Sequence, residues 1–175
     1  MRWPQAAIDY ALSTFPEHFR RAVVLGLYTG QREGDCIRMR WDDWDGESIC
    51  VVQGKTGAKL RVPCHRTLTA ELSAWKADAS ATTILVNARG LPWSHGPSFC
   101  NQFSRLIRKH STLDGLVFHG LRKEAASRLA EAGCSVHEIM SVTGHASIQM
   151  VEHYSKQADQ VGRAKAAILK LERRK

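Results

Sequence analysis

The sequence predicts an α+β domain, mainly α-helical, with one small antiparallel β-hairpin inserted early. Three observations carry this. Apolar residues recur at three- and four-residue steps in the first thirty residues and again after residue 98. Between these stretches the period shortens in two valine-rich segments separated by a glycine-containing turn. Helix boundaries are marked by glycines and by a Ser–Glu capping pair.

Taken in order, "FPEHFRRAVVLGLYTG" places Phe19, Val23 and Leu27 on one stripe, with Gly30 as the stop. A shorter helix is expected through "EGDCIRMR". "SICVV" and "KLRVPC" then read as strands joined by "QGKTGA". Helix returns in "SFCNQFSRLIRKH", with Phe99, Phe103, Leu106 and Ile107 on one side. "HGLRKEAASRLAEAG" repeats Leu121, Ala125 and Leu129 at four-residue steps and closes on Gly133. Ser135 and Glu138 form a capping box for "VHEIMSVTG", and a further short helix is expected before Tyr154. The last segment, 158–175, is an amphipathic helix with Val161, Ala164, Ile168 and Leu171 on one face.

A chain of 175 residues is long enough for one domain with a proper core. No apolar run approaches the ~20 residues of a membrane span. The opening "MRWPQAAIDY" reads as neither signal nor transit sequence, so a cytoplasmic location is expected. Five cysteines, without CxxC spacing, point to reduced thiols rather than a disulfide framework. Lys and Arg outnumber Asp and Glu by 25 to 17, a net charge of +8 that suits a polyanionic partner and equally a solvated basic surface.

Several polar residues stand in a suggestive order. His119 and Arg122 are three apart in the first turn of a helix, where free N–H groups and the dipole favour an anion. Arg32 follows a Thr–Gly helix ending, with Asp35 near enough to orient it; a guanidinium fork can bond two phosphate oxygens at once. Taken singly, each pair reads equally as a cap or a surface ion pair. Lys55 sits at the hairpin tip. Its "GKT" is not a nucleotide-binding loop, since Ile49 stands where the required glycine belongs and a strand follows. His145 follows Gly144 at a helix end, and Tyr154 lies beyond it. A zinc site from Cys134, His137, His145 and His153 is disfavoured, because Cys134 and His137 straddle the capping box and the histidines are eight apart.

The ordered set in "TGQREGD", "GKTGAKLRVP", "FHGLR", "TGH" and "VEHYSK" resembles the catalytic domain of the tyrosine recombinases, the phage-integrase family, from about residue 15 to 154. The resemblance implies the DNA breaking–rejoining fold and a metal-independent, cofactor-free strand transferase acting on double-stranded DNA. Tyr154 is then the nucleophile, forming a 3′-phosphotyrosine. Arg32 and Arg122 stabilise the phosphorane-like state and favour the tyrosinate. Lys55 is the general acid for the leaving 5′-oxygen, His119 assists proton transfer at the tyrosine, His145 hydrogen-bonds the phosphate and Asp35 orients the site. Lys55, Lys59, Arg105, Arg108 and Lys109 are candidate DNA contacts, with a solvated helix face the equal alternative for the last three.

The resemblance further implies a bacterial or phage-encoded, nucleoid-associated protein and a homo-tetramer on DNA. The 158–175 helix would dock either in cis or on a neighbouring protomer. The family's N-terminal core-binding domain is not represented, so the chain is expected to be a fragment or a short member. Rival functions are a type IB topoisomerase-like relaxing enzyme, a catalytically silent DNA-binding relative and a metal-dependent nuclease.

Overall fold

The computed structural model describes residues 1–172, without the side chains of 155, 157–159, 161–163, 165–167 and 170. Helices α1 (Gln5–Thr14), α2 (Glu17–Thr29) and the single turn α3 (Glu33–Cys36) precede strands β1 (Ser48–Val52) and β2 (Lys59–Pro63). Helices α4 (Arg66–Ala77), α5 (Gly96–Ile107), α6 (His119–Glu131), α7 (Val136–Thr143) and α8 (Gln149–Glu172) follow. The strands pair antiparallel from Ser48 opposite Pro63 to Val52 opposite Lys59. Ile49, Val51 and Val62 turn inward, while Cys50 and Val52 face out, as a half-buried ladder requires.

Helix α2 is the axis of the core. From Ala22 to Leu27 every residue is buried, and α1, α3, α4 and α6 all pack on it. Glu17 opens the helix and pairs with Arg20 and Arg21, an acid at the positive end of the dipole. Gly30 ends it in the left-handed conformation at φ 64°. One aromatic layer fills the space beneath. Phe99 and Phe118 meet edge-on at 5.2 Å, and Phe19 meets Phe103 at 5.7 Å, spacings typical of favourable ring pairs.

The capping box at Ser135–Glu138 and the hairpin form as the sequence predicts. Three elements differ. The helix expected through "EGDCIRMR" stops at Cys36, and the chain turns so that Ile37 and Met39 enter the core. Residues Arg66–Ala77, not singled out by the sequence reading, form α4. Its apolar positions Leu68, Leu72 and Trp75 are buried, and the His65 side chain accepts from the Thr67 N–H at 3.2 Å. Tyr154 follows no separate short helix: it lies inside α8, which continues unbroken to Glu172. On the predicted apolar face of this last segment, Ala164, Ile168 and Leu171 are exposed; the Val161 side chain and residues 173–175 lie outside the described residues. No described helix is long and apolar enough to cross a membrane.

Gly26 lets the aromatic layer approach α2. A Cβ there would sit 2.7 Å from Phe118 Cζ and 3.3 Å from Leu121 Cδ1. Phe118 is held on its other side by Phe99 and Phe103, so it has little room to retreat. Overpacking costs about 1–3 kcal/mol, against about 0.5–1 kcal/mol gained in helix propensity. Gly26→Ala should therefore lower unfolding stability by roughly 1 kcal/mol, read as a reduced denaturant midpoint at unchanged slope.

Candidate active site

Four chain segments converge on a polar seam inside the fold: the exit of α2, the hairpin turn, the start of α6 and the exit of α7. Gln31, Gln53 and Thr143 are all fully buried in it. Gln53 Nε2 donates to Gln31 Oε1 at 2.6 Å and to the Thr143 carbonyl at 2.9 Å. Gln31 Nε2 donates to the carbonyls of Thr29 and Val142, each at 2.9 Å. Gly144 ends α7 at φ 67°. A Cβ on it would stand 2.5 Å from Gln53 Nε2 and 2.7 Å from Leu60 Cδ1, so space and backbone angle both require glycine.

Arg122 lies at the centre with 1% of its surface exposed. Its Nη1 donates to the Gly30 carbonyl at 2.8 Å and to the Thr143 carbonyl. Its Nη2 is buried with no partner among the described residues. Burial first, then the charge of Arg32, brings its pKa down to about 10, still cationic at neutral pH. Arg32 donates from Nη1 to Gln53 Oε1 at 3.2 Å.

Asp35, expected close to Arg32, is buried beside it. Its Oδ1 accepts from Arg38 at 2.5 Å and from the Gly54 N–H at 2.9 Å. Arg32 stands 3.8 Å from Oδ2, an ionic neighbour rather than a hydrogen-bonded one. Asp35 thus pins the base of the hairpin turn. Lys55, next in sequence, is exposed at that turn, and Lys59 is exposed at the start of β2.

His119 and His145 border the arginines. His145 Nδ1 lies 2.7 Å from Thr143 Oγ1. Burial, then Arg122, Arg32 and His119, lower its pKa to about 4, leaving a neutral imidazole. His119 keeps an exposed face, yet surrounding protein, followed by Arg122, lowers its pKa as well; Glu33 opposes and Lys123 and Arg32 add to the lowering.

Tyr154 is half-buried against a small cluster containing Ala126, Ala130, Ile139 and Val151. Burial raises its phenol pKa, and the opposing charges of Arg122 and Arg2 do not overcome that. Arg122 thus favours the tyrosinate as expected, but in the free chain desolvation of the phenolate outweighs it and the phenol stays protonated.

Arg32, Asp35, His119, Arg122 and His145 are brought together. Tyr154 lies within the reach of Arg122's charge, and Lys55 on the adjoining turn. Arg105, Arg108 and Lys109 are exposed at the far end of α5, whose opposite end, at Gly96, approaches Gly34. Cys134, His137, His145 and His153 form no group of potential metal ligands among the described residues. The sequence reading missed Gln31, Gln53 and Thr143. A signal existed for Gln53: it continues the inward register of Ile49 and Val51, where an amide must find buried partners.

The fold and sequence have known counterparts. The model described as "Phage integrase family" matches residues 5–161. The integrase of Escherichia phage HK022 is 30% identical over 162 residues, covering 85% of this chain and 44% of that protein. The integrase of Escherichia phage lambda is 32% identical over 158 residues, covering 84% and 44%. The chain thus spans less than half the length of these relatives. A structure of a lambda integrase tetramer bound to a Holliday junction superposes with a TM-score of 0.70 at 30% identity, over 87% of this chain and 47% of that one. XerA recombinase shares the fold at a TM-score of 0.76 and 18% identity, over 95% and 65%.

Gln53→Leu strands Gln31 Oε1 and removes an acceptor from Arg32. It should cost about 2–3 kcal/mol of unfolding stability, measured by urea denaturation. His145 has a folded pKa of about 4 against an ordinary 6.5, so its stabilising contribution is complete above 6.5 and lost as pH falls toward about 4. Urea midpoints should fall more steeply across that window for the parent chain than for His145→Gln.

Proposed function

This chain belongs to the phage integrase family, and we propose that it carries the strand-transfer chemistry of a site-specific DNA recombinase. The observation that carries this reading is the Arg122 guanidinium: one nitrogen is fixed by two carbonyls and the other is unpartnered among the described residues, with Arg32 and two histidines beside it. Such a site suits a phosphodiester, whose charge grows on its non-bridging oxygens as a fifth ligand adds.

In this reading the Tyr154 Oη attacks phosphorus, and the bond from phosphorus to the 5′-oxygen breaks. A 3′-phosphotyrosine and a 5′-hydroxyl result. The phenolic proton passes to His119, whose lowered pKa leaves it neutral and able to accept. Lys55 donates the proton that the leaving oxygen takes up. Arg32, Arg122 and His145 hold the phosphate, and Asp35 fixes the hairpin base that carries Lys55. Rejoining reverses the step with another 5′-hydroxyl. The phosphotyrosine conserves the bond energy, so the cycle consumes no nucleotide.

The partner in this proposal is double-stranded DNA, with Lys55 and Lys59 nearest the reacting phosphate and Arg105, Arg108 and Lys109 touching backbone further out. Lambda integrase has been seen as a tetramer on a Holliday junction, and a homo-tetramer on DNA is proposed here, with the end of α8 covered by a neighbouring protomer.

Incubated with supercoiled and nicked DNA in excess chelator and quenched with detergent, the chain should yield protein-linked DNA. The linkage should map to Tyr154 and vanish in Tyr154→Phe. An adduct that persists in Tyr154→Phe, or cleavage that requires a divalent metal, would overturn this reading.

A further inference from the structure

Thr143 ends α7 with its side chain fully buried. Its hydroxyl oxygen stands 2.6 Å from the Ile139 carbonyl oxygen and 2.7 Å from His145 Nδ1. A hydroxyl has one proton and a carbonyl has none, so the proton in the shorter contact must come from Thr143. Only a proton on Nδ1 can then fill the second contact. The reverse assignment turns the hydroxyl toward Nδ1 and leaves two oxygens 2.6 Å apart with no proton between them. Where one ring nitrogen of a histidine is held, its partner decides the tautomer and hence what the other nitrogen can do.

We propose that Thr143 is a positioning residue that fixes neutral His145 as the Nδ1–H tautomer and leaves Nε2 a bare acceptor. His145 can therefore grip a DNA phosphate only after taking up a proton. This second half rests on the recombinase reading above; the first half stands on the hydrogen-bond chain alone. A phosphate oxygen offers lone pairs and no proton, so a bare Nε2 beside it repels. The imidazolium donates instead. Arg32, at the entry to α3, and His119 and Arg122, on α6, are the titratable and charged groups acting on His145. The two arginines, and His119 when it carries a proton, oppose a further positive charge, and the phosphate's charge is what offsets them. Proton and phosphate then arrive together, so the histidine is charged only when its ligand is present.

Thr143 contributes to the seam through its backbone as well, since its carbonyl accepts from Arg122 and Gln53. Replacing the side chain alone separates the two roles. Long-range ¹⁵N–¹H NMR of the whole chain above the His145 pKa, with the resonance assigned by its loss in His145→Gln, should show Nδ1 protonated and Nε2 bare. Thr143→Ser should keep that pattern, and Thr143→Val should shift the proton to Nε2. A parent spectrum with the proton already on Nε2, or a folded Thr143→Val that leaves the pattern unchanged, would overturn the tautomer assignment. Saturation with a short DNA duplex should protonate both nitrogens. A bound complex in which Nε2 stays bare would overturn the proton-uptake half. Absence of any DNA binding would strike the recombinase reading, while the free-chain spectra still decide the tautomer.

Discussion

The structure depends on keeping one guanidinium out of water. Burying an unpaired charge costs several kcal/mol, so the fold has to bring compensating groups to Arg122. It does so with two helix ends. The carbonyls of Gly30 and Thr143 belong to the exits of α2 and α7, and each exit carries about half a negative elementary charge from its helix dipole. Both converge on Nη1. Backbone carbonyls accept well but carry no full charge, so they hold the arginine without neutralising it. A carboxylate in their place would occupy the cation permanently. The nearby acid, Asp35, instead spends its Oδ1 on Arg38 and the Gly54 N–H.

That demand explains features scattered through the sequence. Gly30 and Gly144 both adopt left-handed angles, and at these turns the Gly30 carbonyl, just past α2, and the Thr143 carbonyl, the last of α7, face one point. Gly144 has a second duty, since a side chain there would displace Gln53. Gln53 and Gln31 then cross-link the hairpin, the exit of α2 and the exit of α7. Loss of any one segment would leave buried amides unpaired elsewhere, so the site and the core are stabilised together.

What could be read from the sequence follows from the range of each interaction. The glycine stops, the Ser135–Glu138 capping box and the alternating hairpin are set by neighbours within four residues, and these appear where expected. Arg32, Lys55, His119, Arg122, His145 and Tyr154 stand out only as an ordered set resembling a known family, since each local motif alone reads equally as a cap or a surface pair. Gln31 and Thr143 were illegible because their partners lie 111 and 21 residues away, and nothing in their immediate surroundings marks them as buried. The brevity of α3 has the same origin: helix periodicity continues past Cys36, but burial of Ile37 and Met39 takes the chain elsewhere. The continuity of α8 was hidden by reading Tyr154 as a boundary, when Gln149–Glu172 contains neither proline nor an interrupting cap.

The electrostatics of the free chain are opposed to the chemistry proposed for it, and this has a physical logic. Burial raises the Tyr154 phenol against the pull of Arg122, and burial with two arginines keeps His145 neutral. Both groups therefore rest in their uncharged forms beside a cation that is held but not neutralised. A phosphodiester entering the site adds the missing negative charge. It would draw a proton onto His145, and its phosphorus would give the phenol oxygen an electrophile as the phenolic proton passes to His119. In the proposed reaction, charge rearrangement would then be tied to occupancy, and the tyrosine would stay protonated in the absence of a bound phosphate. Lys55 fits the same logic: the turn is anchored at Gly54 by Asp35 while the lysine itself stays exposed, so in the proposed reaction the substrate must cover it before its proton can be used.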